Sequence, residues 1–307
     1  MVPFSEGDLM NLSKLTTEQQ KPASAASDTR PARDIVAVIS ENDRGVADAV
    51  ASRLDEIAAI ASAAAHSIEN GGRLIYMGAG TSGRLGVIDA AECRPTYGVP
   101  DGVVIGLIAG GMEAMFHAVE GAEDSLTLGA DDLRALNVSE KDTVVGIASS
   151  GRTPYVIGGL NYAREAGCTT AAVSCVPDAA ISSLADIAVE AVTGPEVVTG
   201  STRMKAGTAQ KMILNMISTT AFILCGKTYG NLMVDVCPTN EKLVARAVRI
   251  ITTAAECDEN TARTLLEAGG MNVKTALVMA MTGCSADDAR TLLARHRGHI
   301  RDAVKNG

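Results

Sequence analysis

Five short apolar runs, separated by segments with helical patterning, most constrain what this chain can fold into. Each run spans four to six residues and is almost continuously apolar, which is typical of strands buried on both faces. Such strands, alternating with helices, predict an α/β fold in which a doubly wound parallel sheet lies between helical layers. The predicted strands are Leu74–Met77, Val103–Ile108, Thr143–Ala148, Thr170–Ser174 and Ile187–Val192.

Helical patterning lies between and before these strands. The Ala-rich segment Asp48–Glu69 predicts one amphipathic helix. A polar N-terminal segment predicts an arm that orders only against a partner. The sequence therefore divides into an arm (residues 1–40), an α/β domain (41–239) and a helical domain (240–307). The other predicted helices are Gly83–Glu92, Met112–Val119, Asp131–Leu136 and Tyr155–Glu165.

A glycine- and hydroxyl-rich turn, Gly78-Ala-Gly-Thr-Ser-Gly83, follows the first predicted strand. Glycines let the backbone approach a ligand, and the helix N-terminus behind them offers free N–H groups and a partial positive charge. These features predict a phosphate site at Gly80, Thr81 and Ser82, with Glu92 as a nearby carboxylate.

A second such loop, Ser149-Ser-Gly-Arg-Thr-Pro154, follows the third predicted strand. Its candidate ligand-binding residues are Ser149, Ser150, Gly151 and Thr153. A solvated turn is the alternative, because it would have the same composition. Because ligands bind at the carboxyl ends of parallel strands, the two loops together favour the phosphate interpretation.

A third block, Gly194–Lys211, places small and hydroxyl residues before a helix that carries cations. Ser201, Thr202 and Lys205 are candidate contacts for a substrate phosphate or carboxylate. A solvated basic face is the alternative.

Charge and composition exclude several classes of partner. The formal net charge is −9, which argues against nucleic acid or an anionic membrane as a partner. The apolar stretch Met212–Cys225 is too short and too polar to span a bilayer, and predicts a core or subunit-interface helix. Seven scattered cysteines without a C-x-x-C spacing indicate reduced thiols in a cytoplasmic protein. His296 and His299 lack a third ligand, so we expect no metal site.

The C-terminal segment contains an internal duplication. Cys257-Asp-Glu-Asn-Thr-Ala-Arg-Thr-Leu-Leu returns 27 residues later as Cys284-Ser-Ala-Asp-Asp-Ala-Arg-Thr-Leu-Leu (284 − 257 = 27). Val273-Lys-Thr-Ala-Leu returns at the same offset as Ile300-Arg-Asp-Ala-Val. This predicts a repeated helix-turn-helix unit in a small cap or interaction module.

The first loop also satisfies G-x-G-x-x-G, the dinucleotide fingerprint. That interpretation requires an acidic residue at the end of the second strand, where this chain has Ile108-Ala-Gly-Gly111. It also leaves the second serine loop unexplained.

The paired loops resemble the SIS (sugar isomerase) phosphosugar-binding fold, and longer blocks look like the N-acetylmuramic acid 6-phosphate etherases. The resemblance covers most of the chain from about residue 40. It departs at Arg94, usually proline in the family, and at Lys21, where asparagine commonly precedes the proline. The matching blocks are Asp89–Gly98, Ala118–Asp124, Thr199–Lys211, Gly230–Asp235 and Thr239–Lys242.

The resemblance implies cleavage of the lactyl ether of N-acetylmuramic acid 6-phosphate, by elimination and then water addition. It implies Glu92 as the acid that protonates lactate and Glu123 as the base at C2, with Glu120 and Asp124 close enough to be confused with Glu123. It further implies a homodimer, with no cofactor because carboxylates carry both proton transfers. The phosphate ligands would be Ser82, Ser150 and Thr153, assisted by Thr81, Ser149, Gly80 and Gly151.

Two other functions share the phosphosugar loops. An aldose–ketose phosphosugar isomerase needs a base but not a second catalytic acid, and it leaves the Thr199–Lys211 block unexplained. A non-catalytic sugar-phosphate sensor, like the glucokinase regulatory protein, would bind without turnover.

Overall fold

The computed structural model describes residues 16–236, 238 and 240–305. Their contacts form two compact units. The first comprises the residues up to 91 and 102–218, and the second comprises 92–101 and the residues from 219 onward. The predicted boundary between residues 239 and 240 stays a prediction.

A five-stranded parallel sheet forms the centre of the first unit and confirms the predicted α/β fold. The strand order is β2-β1-β3-β4-β5. All residues of β1 and β3 are buried, as their apolar sequence requires. The strands are β1 (Leu74–Gly78), β2 (Val104–Ile108), β3 (Thr143–Ile147), β4 (Thr169–Ser174) and β5 (Ile187–Glu190).

Seven helices accompany this sheet in the described residues, and two of them, α4 and α7, continue into the second unit. Apolar residues of α6, including Tyr155 and Leu160, are buried with those of β1 and β3 in one core cluster. The helices are α1 (Ala32–Asp43), α2 (Val46–Ala51), α3 (Leu54–Glu69), α4 (Gly80–Tyr97), α5 (Leu128–Ala135), α6 (Pro154–Glu165) and α7 (Lys205–Leu224).

Two predicted helices differ from the structure. The segment predicted as one helix from Asp48 is two helices, because the Arg53 backbone leaves the helical region and its side chain donates to the Glu190 carbonyl at 3.1 Å. The predicted helix Met112–Val119 is wrong, because the structure has only a short 3₁₀ turn there, at Gly111–Met115. Phe116 is 81% exposed there, so burial of an apolar face does not stabilise a longer helix.

The remaining expectations concern the arm, the thiols and the membrane. Residues 1–15 of the predicted arm, together with Cys237 and Thr239, lie outside the described residues. The described part of the arm contacts its own chain, since the Thr17 carbonyl accepts from the Gly200 N–H at 3.2 Å. The six described cysteines form no disulfide with one another. No described helix is long and apolar enough to cross a membrane.

The second unit folds the two duplicated sequence segments into helices. Its last four helices repeat in pairs: α9 and α11 begin 27 residues apart (286 − 259), as do α10 and α12 (300 − 273). Asp258 and Ser285 occupy the same cap position in the two copies, and each accepts from the N–H three residues later. The elements of this unit are β6 (Thr228–Tyr229), β7 (Leu232–Met233), α8 (Glu241–Ala255), α9 (Glu259–Ala268), α10 (Val273–Thr282), α11 (Ala286–Arg295) and α12 (Ile300–Lys305).

An ion pair in the first unit joins the residue before β1 to the residue before β3. The Asp142 carboxylate is 2% exposed and accepts from Arg73 at 3.0 Å (Nε) and 2.7 Å (Nη2). The Ser139 N–H also donates to it at 2.9 Å. Burial alone would raise the pKa of Asp142, but these hydrogen bonds outweigh burial and lower the pKa from its ordinary 3.8.

We expect Asp142→Asn to lower the free energy of unfolding at neutral pH by about 3 kcal/mol, because it leaves the partly buried Arg73 unpaired. The folded-state pKa lies below the unfolded one, so the contribution is complete above the ordinary pKa and is lost as the pH falls through the lowered value. Denaturation of wild type and variant should therefore differ at neutral pH and converge in acid. Asp101→Asn, which breaks the exposed Arg94–Asp101 pair, should cost less than about 1 kcal/mol. Equal costs would contradict the prediction.

Candidate phosphosugar site

The two hydroxyl-rich loops leave neighbouring strands at the same edge of the sheet. β1 pairs with β3 in parallel, and Gly78 at the end of β1 lies opposite Ile147 at the end of β3. From β1 the chain passes to β2 on one side of β1, and it then returns to β3 on the other side and continues to β4. The carboxyl ends of β1 and β3 therefore flank a topological switch point, where open α/β sheets bind ligands.

The first loop turns directly into α4, which begins at Gly80 and is longer than predicted at both ends. A Cβ at Gly83 would lie 2.5 Å from the Gly78 carbonyl oxygen, so only glycine permits this tight turn. Thr81 is half-buried and Ser82 is buried at the start of α4. The predicted residues therefore lie at a helix N-terminus, as the anion interpretation requires.

The second loop connects β3 to α6. Gly151 has φ +69°, and a Cβ there would lie 2.4 Å from the Ala179 Cβ, so the loop requires glycine at this position. Thr153 is the N-cap of α6, but its hydroxyl makes no capping hydrogen bond. Ser149 is buried, whereas Ser150 and Thr153 are half-buried. The Thr153 hydroxyl is therefore available to a ligand.

Gln210, on α7, connects the two loops and was not predicted as a site residue. Its side chain is fully buried; Oε1 accepts from Ser82 Oγ at 2.9 Å, and Nε2 donates to Ser149 Oγ at 2.9 Å. The Ser149 hydroxyl accepts in this bond, so its own hydrogen remains available to an anion, whereas Ser82 already donates to Gln210. Gln210 thus holds one serine from each loop in a fixed position.

A pocket of about 240 Å³ opens beside the first loop, entirely within the first unit. Its lining includes Gly80, Arg84 and three carboxylate residues, Glu120, Glu123 and Asp124. The pocket therefore brings the predicted C2 base together with the phosphate loop at Gly80, and keeps both neighbouring acids beside it.

The backbone of Glu123 is fixed by the start of α6. Its carbonyl accepts from the Tyr155 N–H at 3.0 Å. Tyr155 is fully buried, and its hydroxyl donates to Asp132 at 2.6 Å. Burial raises the pKa of the Tyr155 hydroxyl, so Tyr155 donates as a neutral phenol, and burial also raises the pKa of the Asp132 carboxyl. Glu123 is thus anchored to the helix that follows the second loop.

One predicted contact, Lys205, lies elsewhere in the first unit. Lys205 is buried, and its ammonium donates to the Asn42 side-chain oxygen at 3.2 Å, an oxygen that also accepts from Lys21. Burial and the Lys21 charge lower the pKa of Lys205. The buried Glu196 accepts from the Lys205 and Ala206 N–H groups at the start of α7, and its pKa is raised by burial. Lys205 is not among the residues that line the pocket of Glu123.

Three further predicted residues are placed by the structure. A Cβ at Gly207 would lie 3.4 Å from the Thr81 side chain and 3.5 Å from the Thr202 carbonyl. Thr202 and Thr81 of the first loop therefore both lie next to Gly207. Ser201 is half-buried one residue earlier. Glu92 is an exposed residue of α4 that belongs to the second unit.

Comparison with known families places this sheet in a known class. A model described as the SIS domain matches residues 125–220, and one described as the glucokinase regulatory protein N-terminal SIS domain matches residues 56–164. These ranges contain both hydroxyl-rich loops and Gln210, so the first unit has the SIS fold that the paired loops predicted.

Solved structures give more distant matches. The chain is similar to an E. coli CFT073 protein that was solved as a complex, with a TM-score of 0.47 and 16% identity over 66% of this chain and 97% of that one. It is also similar to a phosphoheptose isomerase from Neisseria gonorrhoeae, with a TM-score of 0.43 and 17% identity over 62% of this chain and 97% of that one.

Sequence relatives are much more similar. An N-acetylmuramic acid 6-phosphate etherase of Salmonella schwarzengrund (strain CVM19633) is 55% identical over 297 residues, which make up 97% of this chain and 100% of that relative. The etherase of Salmonella typhimurium strain LT2 is 54% identical over the same shares. The chain belongs to the N-acetylmuramic acid 6-phosphate etherase family.

Proposed function

We propose that this chain cleaves the D-lactyl ether of N-acetylmuramic acid 6-phosphate, giving N-acetylglucosamine 6-phosphate and D-lactate. The observation that carries the proposal is the 55% identity to an etherase over 97% of the chain. The site is chemically suited to the reaction, since two hydroxyl-rich loops joined by Gln210 lie at the sheet edge and a carboxylate pocket opens beside Gly80.

The proposed phosphate site uses both loops. Ser82, Ser150 and Thr153 are the principal ligands. Ser82 would bind through its backbone N–H in the first turn of α4, because its hydroxyl donates to Gln210, whereas Thr153 has an uncommitted hydroxyl at the N-terminus of α6. Thr81, Ser149 and the Gly80 and Gly151 backbone assist. Because the Ser149 hydroxyl accepts from Gln210 and keeps its own hydrogen, Ser149 should contribute more to phosphate binding than the sequence predicted. Ser201, Thr202 and Lys205 stay predicted contacts.

The proposed chemistry begins when the sugar ring opens and an aldehyde forms beside C2. The Glu123 carboxylate removes the C2 proton, the C2–C3 double bond forms, and the C3–oxygen bond breaks. Glu92, as a carboxylic acid, protonates the departing lactate oxygen. Water then adds to C3: the Glu92 carboxylate takes its proton, and Glu123 returns a proton to C2.

The position of the cleaved bond tests this proposal. Purified protein incubated with N-acetylmuramic acid 6-phosphate in heavy-oxygen water should release D-lactate and place the label on C3 of the sugar. Label in lactate would contradict elimination and addition. Interconversion of aldose and ketose phosphates without lactate would indicate an isomerase, and tight binding without turnover would indicate a sensor.

We also propose that the chain forms a homodimer, as the family resemblance implies. Ile213 and Ile217 of α7 are buried within the first unit, whereas Ile223 and Leu224 at its end are 48% and 45% exposed. These two residues offer an apolar surface to a second copy. A monomeric mass in sedimentation would contradict the proposal.

Gln210→Ala should weaken binding of N-acetylglucosamine 6-phosphate about tenfold, because it leaves the buried Ser82 and Ser149 hydroxyls without their partner. Calorimetry measures the affinity, and thermal unfolding measures the accompanying loss of stability. Gln210→Glu should weaken binding at least as much, because it removes the donor to Ser149 and places a carboxylate, which repels the phosphate, between the two loops.

Thr208→Ala provides the control for Gln210, since Thr208 is an exposed residue of the same helix. It should leave both measurements unchanged. A Gln210→Ala protein that is less stable yet binds the sugar phosphate normally would show that Gln210 is only a core residue.

A further inference from the structure

We infer that Arg84 binds the carboxylate of the substrate's lactyl group and so selects sugar phosphates that carry the ether. The inference rests on the proposed function. Arg84 lies in the first turns of α4, two residues after Ser82, and lines the same pocket as Glu123. A cation there is close both to the phosphate loop and to the proposed base.

The Arg84 guanidinium is held rigidly by the wall of the pocket. Nε donates to the Met115 carbonyl at 3.1 Å, and Nη2 donates to the Ala114 carbonyl at 2.6 Å. Within the described part of the chain, Nη1 has no hydrogen-bond partner and no carboxylate lies within ion-pair distance of the guanidinium. The side chain therefore keeps its charge and donors for a ligand while its orientation is fixed.

The charges of the pocket explain why a substrate carboxylate needs this residue. Glu120, Glu123 and Asp124 line the pocket, and they repel an anion. Among the described residues that line it, Arg84 is the only arginine or lysine. Lys205 does not supply the missing charge, because its buried ammonium donates to Asn42 and it is not part of this lining.

The chemistry of the substrate places its carboxylate near the base. The lactyl carbon that carries the carboxylate is bonded to the ether oxygen on C3, and C3 adjoins the carbon from which Glu123 takes the proton. A side chain that binds this carboxylate must therefore share the pocket of Glu123, as Arg84 does. The contact is present in both ground state and transition state, so its loss should raise KM more than it lowers kcat.

The experiment compares two ligands that differ in this charge and in the methyl group that removes it. N-acetylmuramic acid 6-phosphate and the methyl ester of its lactyl carboxylate are titrated into the Glu123→Gln protein by calorimetry, so turnover does not interfere. The acid should bind about 10- to 100-fold more tightly than the ester, since a hydrogen bond between charged groups is lost in the ester. Equal affinities would overturn the inference without any change to Arg84.

Arg84→Met, made in the same background, should remove the preference for the acid. Its affinity for N-acetylglucosamine 6-phosphate, which has no lactyl group, should stay within about twofold because the phosphate loops are unchanged. Arg84→Lys should keep part of the preference for the acid. It replaces the methionine variant in the test if that variant does not fold. Equal weakening of all three ligands would assign Arg84 to the phosphate or to the fold.

Failure of the proposed function gives a different result. A wild-type protein that releases no lactate would contradict the etherase proposal, whereas the difference between acid and ester would still decide the role of Arg84.

Discussion

Glu123→Gln should reduce lactate release by about a thousandfold, because the amide has the shape of the carboxylate but cannot accept the C2 proton. The Glu123 backbone is anchored to Tyr155, and the substitution leaves that hydrogen bond in place. Calorimetry with N-acetylglucosamine 6-phosphate should therefore show nearly unchanged binding. In heavy water the variant should also fail to exchange the C2 proton of the substrate for deuterium.

The neighbouring acids provide the matched controls for Glu123. Glu120→Gln and Asp124→Asn change the charge of the same pocket by the same amount. Each should retain C2 exchange and most of the lactate release. An inactive Glu120 variant beside an active Glu123 variant would move the base to position 120.

Glu92→Gln should reduce lactate release about a hundredfold or more while it leaves C2 exchange intact, since it removes the acid and spares the base. This separation of the two steps distinguishes the two carboxylates better than activity alone. Binding of N-acetylglucosamine 6-phosphate should persist, because none of the proposed phosphate ligands is changed. Glu165→Gln, which alters an exposed glutamate of α6, is the control and should have wild-type activity.

Two results would contradict the assignment of Glu92. Loss of C2 exchange together with lactate release would make Glu92 the base or part of its surroundings. Loss of sugar phosphate binding would make Glu92 a structural residue.

The sequence predicted the sheet well because its signals are local. β1 to β5 are short apolar runs, and each lies within two residues of its predicted bounds at both ends. Gly83 and Gly151 mark turns that no larger residue tolerates, so the two loops were also predictable from local sequence. The family blocks, rather than local spacing, predicted Glu123 and the catalytic role of Glu92.

What the sequence could not predict depends on tertiary contacts. Gln210 belongs to a helical block in which its side chain could have faced solvent, and only packing shows that it meets Ser82 and Ser149. Nothing in the sequence distinguishes Arg84 from other helical arginines, because its carbonyl partners and its pocket are formed by tertiary contacts. The break at Arg53 depends on Glu190, which is 137 residues away in the chain.

The bridge made by Gln210 has a consequence for how relatives of this protein can diverge. One amide serves a donor on one loop and an acceptor on the other, so a change at either serine leaves half of that amide without a partner. Chains that evolve toward a different ligand at this edge should therefore exchange positions 82, 149 and 210 as a set, and intermediates with a single exchange should be the least stable.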